Sequence, residues 1–372
     1  MKSRILITGG AGFIGSHLTD LLLSHGYSVR VLDSLVPQVH GPSNERPEYL
    51  SDDAELIVGD VRNPTIVQNA LDGVDAVIHL AASVGVGQSM YDIVSYVQVN
   101  EVGTAVLLEA LLKKPVGRLV VASSMSVYGE GLARNSRGDL ISPEERPLAQ
   151  LQRGRWDIEG RNGEALDPIP TPETKTPALS SVYALNKYAQ ERLCLIAGRA
   201  YSIPTVALRF FNVFGPRQAL SNPYTGVLAI FGARLLNRRP PMVFEDGRQQ
   251  RDFVHVSEVA EACRLALESD RAVDQVFNVG SGQQRSILSL AEELAEVMGL
   301  SRIKPHVIGK YRAGDIRHCF ADISRSRELL GFNPSKDFRA GLGELAEWLA
   351  DQKAEDRVEQ AAAELKRRGL VA

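Results

Sequence analysis

A tyrosine and a lysine stand four residues apart in the segment Ser181–Lys187 of this 372-residue chain. If the segment is helical, this spacing places Tyr183 and Lys187 on one face, where the lysine cation can stabilise a phenolate. Such a tyrosine could act as an acid and a base near neutral pH. The same spacing also occurs on ordinary amphipathic helices, so the interpretation depends on the elements around the pair.

A glycine-rich loop near the start of the chain joins an apolar run to a helical pattern. Gly9, Gly12 and Gly15 have the spacing of a dinucleotide-binding loop, and Gly10, Gly12 and Gly15 fit its closer-spaced form. Glycines let the backbone turn tightly and approach a pyrophosphate, whose charge is met by the helix N-terminus. The loop therefore predicts a dinucleotide site.

Acidic residues follow the next two apolar runs. Asp33 ends the second run, where its carboxylate could accept hydrogen bonds from ribose hydroxyls and would repel a 2′-phosphate. The sequence therefore favours NAD over NADP. Asp60 and Val61 follow the third run and are candidates for contacts with adenine, although a turn aspartate explains Asp60 equally well. His79 is interpreted as a packed strand residue.

Serines end the fifth apolar run, at Ser123, Ser124 and Ser126. Ser124 could hydrogen-bond a substrate hydroxyl or carbonyl, whereas serines at strand ends are commonly turn formers. Its occurrence together with Tyr183, Lys187 and the glycine loop favours the catalytic interpretation.

Short β-branched runs alternate with longer helical patterns, which predicts a doubly wound, Rossmann-type α/β fold with a smaller α/β substrate-binding lobe. We expect an NAD-binding domain over 1–208, with a long insert at 130–177 and a return segment at 251–282, interleaved with a lobe over 209–372. The predicted strands are Arg4–Thr8, Ser28–Leu32, Glu55–Val58, Ala76–Leu80, Leu119–Ser123, Thr205–Arg209 and Val276–Val279. The predicted helices are Gly12–His25, Tyr96–Lys113 and Val182–Arg199, with a charged, solvated surface helix over Asp351–Arg368.

Composition excludes several classes of function. Hydrophobic residues make up 44% of the chain and charged residues 23%, and the net charge of −3 gives no basic field for nucleic acid or an anionic membrane. Cys194, Cys263 and Cys319 are far apart and odd in number, which argues against a disulfide framework or a clustered thiolate metal site. The first apolar run is too short for a signal peptide, so we expect a cytoplasmic enzyme.

The chain resembles the extended short-chain dehydrogenase/reductase family, particularly the NAD-dependent nucleotide-sugar epimerases of the UDP-galactose 4-epimerase type. The resemblance covers nearly the whole chain, and the joint order of its motifs is highly specific. The motifs are Thr8–Gly15, Asp33, Asp60-Val61, Asn100–Thr104, Ser123–Gly129, Tyr183–Lys187, Arg209–Pro216, Arg251–His255 and Arg312–Asp315.

The resemblance implies a role for each matched residue. Tyr183 is the general acid and base, Lys187 lowers its pKa and binds the nicotinamide ribose, and Ser124 orients the reacting oxygen. The implied cofactor-binding residues are Gly9, Gly12, Phe13, Ile14, Gly15, Asp33, Asp60, Val61, Leu80, Ala81, Ala82, Asn100, Ser123, Tyr183 and Lys187. The implied substrate-binding residues are Val86, Ser124, Ser126, Phe211, Asn212, Phe244, Arg251 and Arg312.

The implied reaction inverts C4 of a nucleotide-diphosphate sugar through a transient 4-keto intermediate. Similar dehydratases carry an Asp-Glu pair directly after the serine or threonine, and similar decarboxylases carry a glutamate two residues after it. Met125 and Ser126 occupy those positions here, which favours epimerisation. The alternatives are a dehydratase or decarboxylase that releases a keto product, and a non-catalytic NAD-binding regulator.

The subgroup that the chain resembles most is the dTDP-L-rhamnose 4-epimerases, which make dTDP-6-deoxy-L-talose. The segments that carry this likeness are Val84–Met90, Ala219–Gly226 and Pro240–Gly247, together with the insert. A UDP-glucose/UDP-galactose or UDP-N-acetylhexosamine 4-epimerase is the alternative. The insert could cap the sugar site or be a solvated flap, and Val84 replaces the lysine that the family carries near the nicotinamide. The family likeness also implies a homodimer formed through the helices Tyr96–Lys113 and Val182–Arg199.

Overall fold

Strands and helices alternate along most of the chain in the computed structural model, which describes residues 3–220, 222, 224, 226–312, 314–352 and 358–371. Ser221, Pro223, Thr225 and Ala313, which belong to motifs named above, lie outside these residues. The strands are β1 (Arg4–Thr8), β2 (Ser28–Asp33), β3 (Glu55–Val58), β4 (Ala76–His79), β5 (Arg118–Ser124), β6 (Ala133–Arg134), β7 (Leu140–Ile141), β8 (Asp167–Pro168), β9 (Thr205–Phe210), β10 (Asn212–Phe214), β11 (Met242–Val243), β12 (Gln250–His255), β13 (Val276–Val279), β14 (Gln284–Ser286), β15 (His306–Val307) and β16 (His318–Cys319). The α-helices are α1 (Phe13–Ser24), α2 (Pro37–His40), α3 (Pro64–Ala70), α4 (Val86–Ser89), α5 (Ile93–Val97), α6 (Gly103–Lys113), α7 (Leu148–Leu151), α8 (Val182–Tyr201), α9 (Val227–Leu236), α10 (Val256–Glu268), α11 (Ile287–Val297), α12 (Phe338–Ala350) and α13 (Val358–Arg367).

Seven parallel strands form the main sheet, in the order β13-β9-β5-β4-β1-β2-β3. The predicted Rossmann-type sheet is therefore confirmed. The bounds of β1, β3 and β13 agree with the prediction, and the other four strands differ from it by one residue at one or both ends. The strands are apolar and mostly buried along their length, as expected when both faces of a parallel sheet are covered.

Helices cover both faces of this sheet because successive side chains of a strand point to opposite sides. Ile5 and Ile7 of β1 belong to the core beneath α1 and α10, whereas Leu6 belongs to the opposite core, with α3, α6 and α8. The α8 helix that carries Tyr183 and Lys187 begins at Val182, as predicted. The predicted helix Tyr96–Lys113 is α5 and α6 joined by a π-helical turn at Gln98–Val102, a distortion that is common near functional sites.

A smaller unit follows β9 and contains a four-stranded sheet of β10, β12, β14 and β16. Its core lies among α9, α11 and α12, with Phe231, Leu290 and Leu342 at its centre. Of the predicted return segment 251–282, α10 and β13 pack with the main sheet. The strand β12 instead pairs with β10 and belongs to the small sheet, because its register is set by residues far away in sequence.

The insert 130–177 is folded, so its interpretation as a solvated flap is wrong. Strands β6, β7 and β8 form a small sheet over a core of Ala133, Ile158 and Leu166. Beside it lies Arg317, whose side chain is fully buried and forms ion pairs with Asp157 of the insert at 2.7 Å and with Glu245 at 2.9 Å. This guanidinium therefore joins the insert to the smaller unit.

The C-terminal helix α13 also differs from the prediction. Residues 353–357 of the predicted helix lie outside the described residues, and α13 starts at Val358. Its charged side chains are exposed on one face, but Ala361 and Leu365 are buried on the other. The expected solvated surface helix is thus a packed amphipathic helix. No helix in the described part of the chain has the length and apolar character required to cross a membrane.

We expect Arg317→Met to lower the free energy of unfolding by about 3 kcal/mol, because Asp157 and Asp246 lose their cationic partner and Glu245 keeps only Arg146. The matched control is Arg161→Met, whose ion pair with Glu144 is exposed and should contribute less than about 1 kcal/mol. Urea unfolding followed by circular dichroism measures both. Equal losses in the two variants would contradict the structural role of Arg317.

Candidate functional site

A cavity of about 640 Å³ opens at the carboxyl ends of the main-sheet strands and is closed on its other side by the smaller unit. Open α/β sheets bind ligands at this edge. Fourteen of the fifteen predicted cofactor-binding residues line it: Gly9, Gly12, Phe13, Ile14, Gly15, Asp33, Asp60, Val61, Leu80, Ala81, Ala82, Ser123, Tyr183 and Lys187. All eight predicted substrate-binding residues line it as well: Val86, Ser124, Ser126, Phe211, Asn212, Phe244, Arg251 and Arg312.

The glycine loop is shaped by close backbone contacts. Gly9 has φ +70°, and a Cβ atom there would lie 2.8 Å from the backbone nitrogen of Ala81. A Cβ atom on Gly15 would lie 2.5 Å from the Cα of Gly10. Helix α1 begins after Gly12 with no side-chain cap, which leaves its N-terminal N–H groups for a ligand. These features fit the pyrophosphate of a dinucleotide.

The carboxylate of Asp33 is held at the end of β2 by backbone donors. Ala11 N donates to it at 3.1 Å and Leu35 N at 3.0 Å. Asp60 lines the cavity and is also a turn residue, since it accepts a hydrogen bond from Arg62 N at 2.8 Å. A hydrogen bond from the Arg62 side chain holds the pKa of Asp60 below its usual value. Both carboxylates thus act as hydrogen-bond acceptors at the same end of the cavity.

Asn100 is the one predicted cofactor residue that does not line the cavity. Its side-chain oxygen accepts from Ser83 N at 2.7 Å and its amide nitrogen donates to Ser83 O at 3.0 Å. Both ends of the amide fix the loop after β4, so the structure places Asn100 behind the cavity lining. His79 is a packed residue, as predicted, with Thr8 and Thr104 hydroxyls on its two ring nitrogens.

The reactive residues meet where β5 ends against the start of α8. The Tyr183 phenol and the Ser124 hydroxyl lie near one another, and the Tyr183 backbone N–H donates to the Ser89 hydroxyl at 3.0 Å. Ser124 Oγ also accepts from Ser126 N at 3.2 Å. The Lys187 ammonium donates to Gln190 at 2.9 Å. The cavity therefore brings the predicted catalytic residues Ser124, Tyr183 and Lys187 together.

Burial dominates the acid–base properties of this group. It raises the pKa of Tyr183 to about 12, although the Ser124 hydroxyl acts in the opposite direction. It also lowers the pKa of Lys187 to about 8. The expected lowering of the Tyr183 pKa by Lys187 is not present in this arrangement, in which the amine is engaged by Gln190. Sequence reasoning missed Gln190, which lies one helical turn beyond Lys187.

Two arginines converge on one carboxylate at the other end of the cavity. Arg312 contacts Asp315 at 2.9 Å, and Arg251 lies 3.7 Å from it. Burial opposes ionisation of Asp315, but the two guanidinium groups outweigh it and its pKa lies below the usual value. The Arg312 guanidinium also lies 4.6 Å from the ring centre of Phe244. A flat, cationic surface of this kind suits a base and its diphosphate.

The insert supports this end of the cavity from behind and contributes no residue to its lining. Arg146 of the insert donates to the backbone oxygen of Asp315 at 2.9 Å and pairs with Glu245 at the same distance. The expectation that the insert could cap the sugar site is not met. Through Arg146, the insert instead forms a hydrogen bond and an ion pair that hold the segments carrying Arg312 and Phe244 in place.

The cavity also has lining residues that the sequence interpretation missed. Four of them come from the C-terminal segment, where an apolar spacing at residues 361 and 365 was the available signal. They are Ala361, Ala362, Leu365 and Leu370. Among the described residues, no group of three or more His, Cys, Asp or Glu side chains could hold a metal ion.

Comparisons with known proteins agree with this geometry. The model of the NAD dependent epimerase/dehydratase family matches residues 5–149 and 160–280. The dTDP-L-rhamnose 4-epimerase of Burkholderia thailandensis is 36% identical, over 94% of this chain and 95% of that protein. The structure of UDP-N-acetylglucosamine 4-epimerase from Methanobrevibacter ruminantium has a TM-score of 0.77 at 31% identity, covering 95% of this chain and 100% of that one. The Thermus thermophilus UDP-glucose 4-epimerase in complex with NAD has a TM-score of 0.75 at 29% identity, covering 94% and 100%.

We expect Lys187→Met to raise the free energy of unfolding by about 2 kcal/mol at pH 7. Burial lowers the pKa of Lys187 to about 8, which costs the folded protein about 1.4 kcal/mol for each pKa unit while the lysine is charged. The variant removes this cost but also loses the hydrogen bond to Gln190, which offsets part of the gain. Between pH 8 and 10.5 the unfolded wild type holds a proton on this lysine that the folded form has lost. Wild-type stability therefore rises with pH in that window, and the advantage of the variant shrinks.

Urea unfolding at pH 7 and near pH 10 measures this difference. Lys113→Met, at an exposed position, is the control and should show no such change with pH. A stability difference for Lys187→Met that stays constant over this range would contradict the buried, titrating amine.

Proposed function

The chain belongs to the NAD dependent epimerase/dehydratase family, and we propose that it is a nucleotide-sugar 4-epimerase that interconverts dTDP-L-rhamnose and dTDP-6-deoxy-L-talose. NAD is its cofactor, and the residues that line the sheet edge of the cavity would hold it. When bound, NAD supplies the hydride acceptor and donor for C4 of the sugar. The proposal for the reaction rests on the residues beside Ser124.

The observation that carries the proposal is the type of side chain around the reactive group. Met125 and Ser126 follow Ser124 in the cavity wall, so neither supplies a carboxylate. Among the described lining residues, the carboxylates are Asp33, Asp60 and Asp315. Asp33 ends β2 and Asp60 follows β3. Asp315 is paired with Arg312 and Arg251. Elimination of water or loss of carbon dioxide needs further acid–base groups, or groups that stabilise developing charge, beside the sugar. The absence of a carboxylate at Met125 and Ser126 therefore favours epimerisation.

Tyr183 is the residue suited to move the proton of the sugar 4-hydroxyl. Its phenol and the Ser124 hydroxyl both line the cavity near one another, so both hydroxyls could meet one substrate oxygen. With a pKa near 12, the phenol needs a neighbouring positive charge to give up its proton readily. Lys187, one turn along α8, and the positively charged nicotinamide ring of oxidised NAD are sources of that charge. The same phenol then returns the proton when the hydroxyl is re-formed.

The opposite end of the cavity suits the nucleotide. Arg251 and Arg312 present guanidinium groups for the diphosphate, and Phe244 offers an aromatic face for the base. This arrangement is compatible with thymidine and with uridine. UDP-glucose/UDP-galactose or a UDP-N-acetylhexosamine is therefore the alternative substrate, supported by the likeness to UDP-sugar 4-epimerases of known structure.

We expect the purified protein to convert dTDP-L-rhamnose into its C4 epimer, with unchanged mass and no lasting NADH absorbance. NMR of the C4 configuration in a panel with UDP-glucose and UDP-N-acetylglucosamine measures it. Tyr183→Phe should lower kcat at least about 100-fold because the phenol proton is lost. Tyr188→Phe, on the same helix and outside the cavity lining, is the control.

Three results would count against this proposal. Loss of 18 mass units from the product would indicate a dehydratase. Persistent NADH would indicate net oxidation. Turnover by Tyr183→Phe at the rate of the Tyr188→Phe control would remove Tyr183 from the acid–base role.

We also propose a homodimer formed through the face of α5, α6 and α8. Exposed apolar side chains lie on α5 at Val94 (69% exposed), on the π-helical turn before α6 at Val102 (47%), and on α8 at Leu185 (50%) and Ile196 (56%). An apolar patch spread over adjacent helices is typical of an interface, and a second copy of the chain provides the same patch.

We expect Ile196→Glu to shift the protein from dimer to monomer, since each buried glutamate would lose its hydration at the interface. Leu148→Glu is the control, because Leu148 is equally exposed (59%) but lies in the insert. Light scattering coupled to size-exclusion chromatography measures both. A wild type that is monomeric at micromolar concentration would contradict the proposed interface.

We expect a cytoplasmic location for this enzyme. Cys194, Cys263 and Cys319 are buried free thiols in the structure. Unpaired cysteines are usual in reducing compartments.

A further inference from the structure

The C-terminal segment 358–371 provides one wall of the cavity. Ala361, Ala362 and Leu365 of α13 and Leu370 after it face the cavity, and Leu365 is 7% exposed. The exposed side of α13 carries the charged residues, so the helix has one apolar face and that face is used here.

Contacts at both ends hold this segment in place. Glu359, near the start of α13, lies 3.7 Å from Arg234 and 3.6 Å from Arg239 of the smaller unit. At the other end the Arg368 guanidinium lies 4.2 Å from the ring centre of Tyr91. Val371 forms a β-bridge with Arg312, a predicted diphosphate ligand. The segment therefore spans the cavity from the smaller unit to the loop after β4.

Leu365 packs against α4, the helix that contacts the start of α8. A Cβ atom built on Gly87 would be 3.4 Å from both methyl groups of Leu365. Gly87 belongs to α4, and Ser89 at the end of α4 accepts the hydrogen bond from Tyr183 N. Leu365 therefore packs against α4, two residues from the contact that fixes the start of the catalytic helix.

We propose that Leu365 is a specificity-determining residue that makes the sugar subsite prefer a methyl group over a hydroxymethyl group at C5. This inference rests on the proposed epimerase function. Leucine side chains offer no partner to a hydroxyl, so a 6-hydroxy sugar loses hydrogen bonds to water on entering, whereas a methyl group gains apolar contact. Discrimination of this kind is worth roughly 10- to 100-fold in kcat/KM.

The test compares dTDP-L-rhamnose with dTDP-L-mannose, which differ only in the C6 hydroxyl. In the full-length Leu365→Ser variant, we expect the ratio of their kcat/KM values to fall about tenfold, chiefly through faster turnover of the 6-hydroxy sugar. Lys366→Ser is the control, because it makes the same polar residue at the neighbouring exposed position of α13. A Leu365→Ser ratio within about twofold of the control would overturn the proposal.

A second measurement does not require turnover. Hydrogen exchange of the wild type, with and without dTDP or UDP (whichever binds by calorimetry), should be slowed at the amides of residues 361–371. Slowed exchange around Phe244 with unchanged exchange at residues 361–371 would contradict the claim that this segment forms a wall of the ligand site. If neither sugar is turned over but the segment is protected, the wall stands and the substrate proposed above is wrong.

Discussion

The buried ion pair between Glu191 and Arg209 is the constraint on which the reactive group depends. Arg209 lies on β9 and contacts Glu191 of α8 at 2.7 Å, with both side chains almost fully buried. Ser123, at the end of β5, donates to the same carboxylate at 2.7 Å. One carboxylate thus fixes the helix that carries Tyr183 to two adjacent strands. Separating the two side chains would leave an unpaired buried charge, which is costly. The contact therefore keeps α8 in place against β5 and β9, and in this way sets the distance between Ser124 and Tyr183.

A second charged cluster has the same role at the nucleotide end. Glu245 pairs with Arg146 and Arg317, and it lies next to Phe244 in sequence. The Arg146 side chain also reaches the backbone of Asp315, the residue that holds Arg312 and Arg251. The insert therefore determines where the cationic groups of the cavity lie, although it is outside the cavity itself. Buried charges of this kind do little for net stability and are best explained by the geometry that they impose.

Local patterns predicted the main sheet and the cofactor loop well. Strands such as β1 and β3 are short apolar runs bounded by turn residues, and glycine spacing depends on local backbone shape alone. Contacts between distant segments were not predictable in this way. Asn100 matches a family motif, yet its amide serves Ser83, and β12 joins the small sheet because of its pairing with β10. The side-chain partner of Lys187 likewise depends on how α8 packs, which no spacing reveals.

The two ends of the cavity hold a ligand by different forces, and this difference suits an epimerase. Guanidinium groups make directional contacts that keep a diphosphate in one place. The proposed wall at Leu365, packed against α4, would make non-directional apolar contacts. Inversion at C4 requires that the sugar present each of its faces in turn to the same hydride carrier while the nucleotide stays bound. A sugar subsite dense in hydrogen-bond partners would hold one face strongly and resist that turn. An apolar wall lowers the difference in free energy between the two orientations, so the proposed reversal of the sugar becomes compatible with a fixed nucleotide.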